Sequence, residues 1–117
     1  MSTERLRSVT HLVSVLTRGH RSDDAGEFGA GSRLDLLSHS LQSAHEAYLM
    51  RPADEELQVA ALVHDIGWLV ATTDRVTRGD HAVVGALAVA PLLGDRVARL
   101  VALHADAERY LAATDLL

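Results

Sequence analysis

Residues 57–70 read Leu-Gln-Val-Ala-Ala-Leu-Val-His-Asp-Ile-Gly-Trp-Leu-Val, an apolar run with one His-Asp pair in its middle. If a segment this apolar is buried, the Asp65 carboxylate loses its hydration. An uncompensated charge there costs several kcal/mol or forces the group to neutralise. Lysine is absent from the whole sequence, so the compensation falls to an arginine, a set of hydrogen-bond donors or a metal. Arg51, Arg75, Arg78, Arg96, Arg99 and Arg109 are available for the first of these. The metal is the choice that also uses His64 and the histidines at 39, 81 and 104, which fall on other predicted helices.

With 117 residues the chain is read as one domain, 1–117, with little core to spare. It is 48% hydrophobic but only 3% aromatic, so its core is aliphatic and alanine-rich, which suits packed helices. The net charge of -5 argues against a nucleic-acid partner, whose backbone rewards a basic face. Cysteine is absent, which excludes disulfides and thiolate metal sites and leaves imidazole and carboxylate as ligands. No stretch reaches the roughly 18 to 20 unbroken apolar residues of a membrane span, and Met1 to Arg5 lacks the apolar region of a signal peptide. The expectation is a cytoplasmic protein with a small-molecule substrate and no membrane partner.

Thr3 can cap a first helix to Arg18, with Leu6, Val9, Leu12, Val13 and Leu16 at helical spacing and Gly19 as its stop. Residues 19–32 hold four glycines and little to bury, and read as a loop or a lid anchored by Phe28. Ser32 then caps a second helix, with Asp35 as the capping-box carboxylate. Leu34, Leu37, Leu41, Ala44 and Tyr48 form its stripe, and His39 and Gln42 share a neighbouring face that can point into one cavity. Pro52 ends that helix, and Ala53 or Asp54 starts a third that carries His64-Asp65 and runs to residues 67–70. Neighbours on a helix diverge by about 100°, so a metal shared by the pair lies against the helix flank.

Asp80 reads as the cap of a fourth helix to Pro91, which puts His81 near its positive end and favours the neutral, metal-ligating imidazole. Gly94 turns the chain and Asp95 caps a fifth helix, on which Val97, Leu100, Val101, His104, Glu108 and Leu111 share one side. His11, His20 and His45 belong to no fuller pattern and read as ordinary surface or loop histidines. The fold class is all-α, a compact bundle of about five helices.

The ordered set His39, His64-Asp65, His81 and His104, at intervals of 25, 17 and 23 residues, resembles the HD-domain superfamily of metal-dependent enzymes, in which a helical bundle holds one or two metals. Three stretches are similar to one branch of it, the di-iron oxygenases that cleave organophosphonates, relatives of myo-inositol oxygenase. They are Leu37-Ser38-His39-Ser40-Leu41-Gln42-Ser43-Ala44, residues 60–67, and Leu103-His104-Ala105-Asp106-Ala107-Glu108-Arg109-Tyr110-Leu111. The resemblance covers about residues 33–115. It implies that His39 and His64 bind one metal, His81 and His104 the other, and that Asp65 bridges them and owes its tolerance of burial to the two cations. It further implies mixed-valent iron, a dioxygenase reaction, and Gln42 beside the substrate.

The sequence departs from that branch in three places. The superfamily's late aspartate has no clear counterpart, because Asp115 stands eleven residues after His104, about 16 Å along a continuous helix. Where the branch has a substrate-holding lysine, four residues after the last histidine, this chain has Glu108, so the substrate is neutral or cationic or Glu108 serves the metal. The branch's Tyr and Glu latch is replaced by Gly29 and Ser32, with Glu27 and Phe28 nearby out of register. The leading reading is an iron oxygenase-like oxidoreductase in which Asp65, Gln42 and Glu108 serve catalysis. The alternative is a phosphohydrolase using Mn or Mg. A third is a non-catalytic or incomplete domain, including a homodimer that repairs the site across its interface.

Overall fold

The computed structural model describes residues 5–19, 35–70 and 78–113, the last group without the side chains of 78–80 and 105–113. Six helices follow in order: α1 Val9–Thr17, α2 Leu36–Met50, α3 Glu55–Val63, α4 Gly67–Val70, α5 Arg78–Leu93 and α6 Asp95–Ala113. Among the described residues there is no strand, and no helix is long and apolar enough to cross a membrane. The all-α bundle expected from the sequence is the fold observed.

The first three starts have a local cause. Ser8 Oγ accepts from the His11 N–H at 3.0 Å and caps α1. Thr3 and Ser32, the caps expected from the sequence, and Phe28 lie outside the described residues. Asp35 caps α2, its Oδ1 accepting from Ser38 N at 2.7 Å. Asp54 caps α3 through the Leu57 N–H at 3.1 Å, and Glu55 and Glu56 place negative charge at that helix's positive end. The same Asp54 carboxylate takes both Arg96 nitrogens at 2.8 Å, so the starts of α3 and α6 are clamped together.

The first helix starts at Val9 rather than after Thr3, the second is capped by Asp35 itself rather than Ser32, and three later boundaries are corrected as well. The third helix is not continuous: α3 ends at Val63, residues 64–66 form a turn, and α4 follows. Helix α5 begins at Arg78, so Asp80 stands inside it rather than capping it. Pro91 is tolerated in its last turn, after which Gly94 takes φ 91°, a left-handed conformation that glycine adopts without steric cost.

The inward face of α2 is also rotated from the expected one. Leu36, Ser40 and Ala47 are buried, whereas Leu41 and Tyr48 stand about half exposed. The shift is one residue, about 100° around the axis. It turns small side chains toward α3, allows those two helices to pack closely, and brings His39 with them. The aliphatic core joins Leu12, Val15 and Leu16 of α1 to Val63, Ile66 and Val70, to Val84 and Val89 of α5, and to Val97 and Val101 of α6. At one side of that core α2, the turn after α3, α5 and α6 meet.

Candidate metal centre

The His64-Asp65 pair sits in the turn that separates α3 from α4, so the two side chains are not obliged to diverge as they would along a helix. His64 closes α3, and its Nδ1 donates to the Ala61 carbonyl at 2.6 Å. Asp65 is 5% exposed, and its carboxylate faces four imidazoles brought from α2, the turn, α5 and α6. Oδ2 lies 3.2 Å from His39 Nε2 and 3.1 Å from His64 Nε2. Oδ1 lies 2.8 Å from His81 Nε2 and 3.3 Å from His104 Nε2. One carboxylate oxygen therefore serves each pair of rings. No arginine among the described residues reaches Asp65, and Arg96 is engaged by Asp54 and Glu56.

Protons alone satisfy this arrangement poorly. His104 Nδ1, like that of His64, is 2.6 Å from a backbone carbonyl, Val101 O, which can only accept. In the neutral rings His64 Nε2 and His104 Nε2 thus carry lone pairs, each aimed at an oxygen that also offers only lone pairs. Charging every ring instead sets cations against one another, because His39 Nε2 and His64 Nε2 are 3.0 Å apart and His81 Nε2 and His104 Nε2 are 3.2 Å apart. Cations bound beside Asp65 would relieve both conflicts. The two donor sets His39, His64, Asp65 and Asp65, His81, His104 each have their ligand atoms within 4.8 Å of one another. Such carbonyl-anchored Nδ1–H groups would orient these imidazoles if they bind a metal. Burial by itself raises the Asp65 carboxyl, but its contacts with His104, His39, His64 and His81 outweigh that and hold it well below the usual carboxylate range.

The family model named HD domain matches residues 36–116, which include all five of these side chains. The chain belongs to the HD-domain family. It is also 34% identical over 98 residues to a hydroxymethylphosphonate dioxygenase of Gimesia maris, an alignment covering 79% of this chain and 48% of that protein. The chain thus spans about half the length of this curated relative. No solved structure matches it.

Around the cluster of this HD domain the backbone is pressed tight. A Cβ on Gly67 would fall 1.9 Å from the His81 carbonyl oxygen and 2.7 Å from its carbon. Gly85 lies against the Gly67 nitrogen in the same way, with an added Cβ at 3.1 Å. Helix α4 therefore touches α5 backbone to backbone, and that contact sets how far His81 stands from Asp65. The Trp68 ring stacks on His81 with centroids 4.5 Å apart and planes at 21°. Its indole N–H is buried and finds no acceptor among the described residues.

A cavity of about 340 Å³ opens beside the cluster between α2, α3 and α6, lined by Ser43, Leu57, Ala60, Ala61, His64, Leu100, Leu103 and His104. It touches one histidine from each donor set. Gln42, expected there from the sequence, is exposed, and the rotation of α2 places Ser43 on the wall in its stead. The Glu108 side chain lies outside the described residues. Sequence reasoning missed Gly67, Trp68 and Ser43 as contributors. The first two follow the His-Asp pair after Ile66, and a glycine so near a buried charge is a signal of close backbone approach.

Proposed function

We propose that this HD domain is a metal-dependent oxidoreductase acting on a small organic substrate, with two metal ions bridged by Asp65. The observation that carries the reading is the convergence of four imidazole Nε2 atoms on one buried carboxylate, two on each oxygen. His39 and His64 would hold one ion and His81 and His104 the other. A nitrogen-rich set with a single carboxylate suits a first-row transition metal such as iron better than Mg, which prefers oxygen. Similarity to a dioxygenase supports iron and dioxygen as the partners. When bound, the metals would supply redox chemistry with dioxygen and an electrophilic seat for the substrate.

The chain's own residues hold the surroundings in place. Ala61 O and Val101 O fix the tautomer of His64 and His104, the Gly67 contact fixes the reach of His81, and Leu57, Ala60, Leu100 and Leu103 form an aliphatic wall beside His64 and His104. A hydrolase reading using Mn or Mg on a phosphate ester is disfavoured by the cavity wall, where no described residue is a lysine or arginine. The test is anaerobic loading with Fe(II) followed by exposure to air. Oxygen uptake coupled to product formation from a small organic substrate supports the proposal. Phosphate release with Mn or Mg, and no oxygen uptake with iron, overturns it in favour of the hydrolase.

A further inference from the structure

His81 is the most buried of the four imidazoles, 2% exposed, and an indole lies flat on its face. Trp68 stacks on it with centroids 4.5 Å apart and planes at 21°, whereas His104 meets it edge to face at 5.1 Å and 65°. The backbone holds the indole in that position. Trp68 follows Gly67 in the first turn of α4, its backbone N–H donates to the Asp65 carbonyl at 3.1 Å, and Gly67 is pressed against the His81 carbonyl. Asp65, Trp68 and His81 are thereby tied to one another through main chain. The indole N–H is buried without an acceptor among the described residues, so no described hydrogen bond accounts for the place of the ring.

The stack bears on an ion held by His81 in two ways. The lone pair of an imidazole nitrogen lies in the ring plane, and the outer torsion of a histidine side chain is broad by itself. A ring that tilts therefore swings its lone pair off the ion. A flat indole against the face restricts that tilt while leaving Nε2, 2.8 Å from Asp65 Oδ1, directed at the carboxylate. The second effect is electronic. An imidazole that gives its lone pair to a cation becomes electron-poor, and the negative face of an indole attracts an electron-poor ring. The stack thus favours the metal-bound form of His81 over the empty one.

We propose that Trp68 is a positioning residue of the metal centre: acting through His81, it fixes the plane of that imidazole and strengthens binding of the ion assigned to His81, His104 and Asp65. The proposal rests on the metal-centre reading of the cluster. Its test uses Co(II), followed by visible absorption and by the fluorescence of Trp68, the sole tryptophan. His64→Ala leaves the His81 ion to be titrated alone. In that background Trp68→Leu, which stays apolar but has no ring, should weaken Co(II) at least about tenfold, whereas Trp68→Phe should stay within about threefold. In the His81→Ala background Trp68→Leu should leave the remaining ion within about twofold, because the group through which Trp68 acts is gone. Co(II) should also quench Trp68 fluorescence at least twice as strongly in the His64→Ala protein as in the His81→Ala protein. Unchanged affinity on Trp68→Leu in the His64→Ala background overturns the positioning role, as does an equal loss in both backgrounds, which would mark a merely structural effect. Where circular dichroism shows that Trp68→Leu does not fold, the quenching decides: fluorescence unmoved by Co(II) uptake in the His64→Ala protein overturns the role. Wild-type protein that takes up no Co(II) overturns the metal centre itself.

Discussion

Gly67→Ala adds one methyl group and is expected to disable half of the metal centre. The new Cβ would stand 1.9 Å from the His81 carbonyl oxygen, about 1.5 Å inside ordinary contact. The obstacle is backbone, so no side-chain rotation relieves it. Either α4 or α5 must move by an amount of that order, while metal–ligand distances tolerate only about 0.2 Å. The cost in stability should fall at the upper end of the overpacking range, about 3 kcal/mol. His81 rides on the displaced segment, so the ion assigned to His81, His104 and Asp65 should bind at least tenfold more weakly, with less effect on the His39 and His64 side. The assay is metal content per chain after a limiting titration, paired with urea unfolding. Gly94→Ala is the control: its φ of 91° makes alanine strained, yet nothing lies within 4 Å of the new Cβ. That variant should lose about 1 kcal/mol and no metal. A Gly67→Ala protein that keeps both ions at wild-type affinity would refute the claim that this contact sets the reach of His81.

Three further outcomes follow from the same geometry. Trp68→Phe keeps a ring on His81 and removes an N–H without an acceptor, so unfolding should shift by under about 1 kcal/mol in either direction, whereas Trp68→Ala should cost about 3 kcal/mol. The Arg96 guanidinium beside Asp54, helped by the Leu57 N–H, lowers that carboxyl from 3.8 to about 2. A depressed carboxyl stabilises the fold above its unfolded value and loses that effect as pH falls through the folded one. The stability gap between wild type and Asp54→Asn should therefore be full at pH 6 and shrink between about pH 4 and 2, read from urea midpoints. His64→Ala should remove the ion assigned to His39, His64 and Asp65 and spare most of the other, as elemental analysis would show by a loss of about one ion per chain.

Much of the site was legible in the chain because its central conflict is local. A carboxylate amid Ala60, Leu62, Val63 and Ile66 demands a partner, and the histidines that could supply one are each placed on a separate helix. The structure brings His39, His64, His81 and His104 onto that carboxylate. The orientation of α2 was less legible. Leu41 and Tyr48 advertise the apolar stripe, but close packing on α3 selects Ser40 and Ala47, so tertiary contact overrides hydrophobicity and Gln42 yields its place to Ser43. The break at residues 64–66 was hidden by a run whose composition suits a helix throughout. The Gly67 contact needed the place of His81 on α5, fourteen residues later in the chain, before its meaning could be read.

The most direct measurement is metal stoichiometry in protein purified without a histidine tag, compared between wild type and Asp65→Ala. Two ions per wild-type chain, with both lost in a variant that keeps its helical circular dichroism, is the predicted result. A full complement of metal in Asp65→Ala, or none in the wild type after loading, would contradict a centre built on a shared carboxylate.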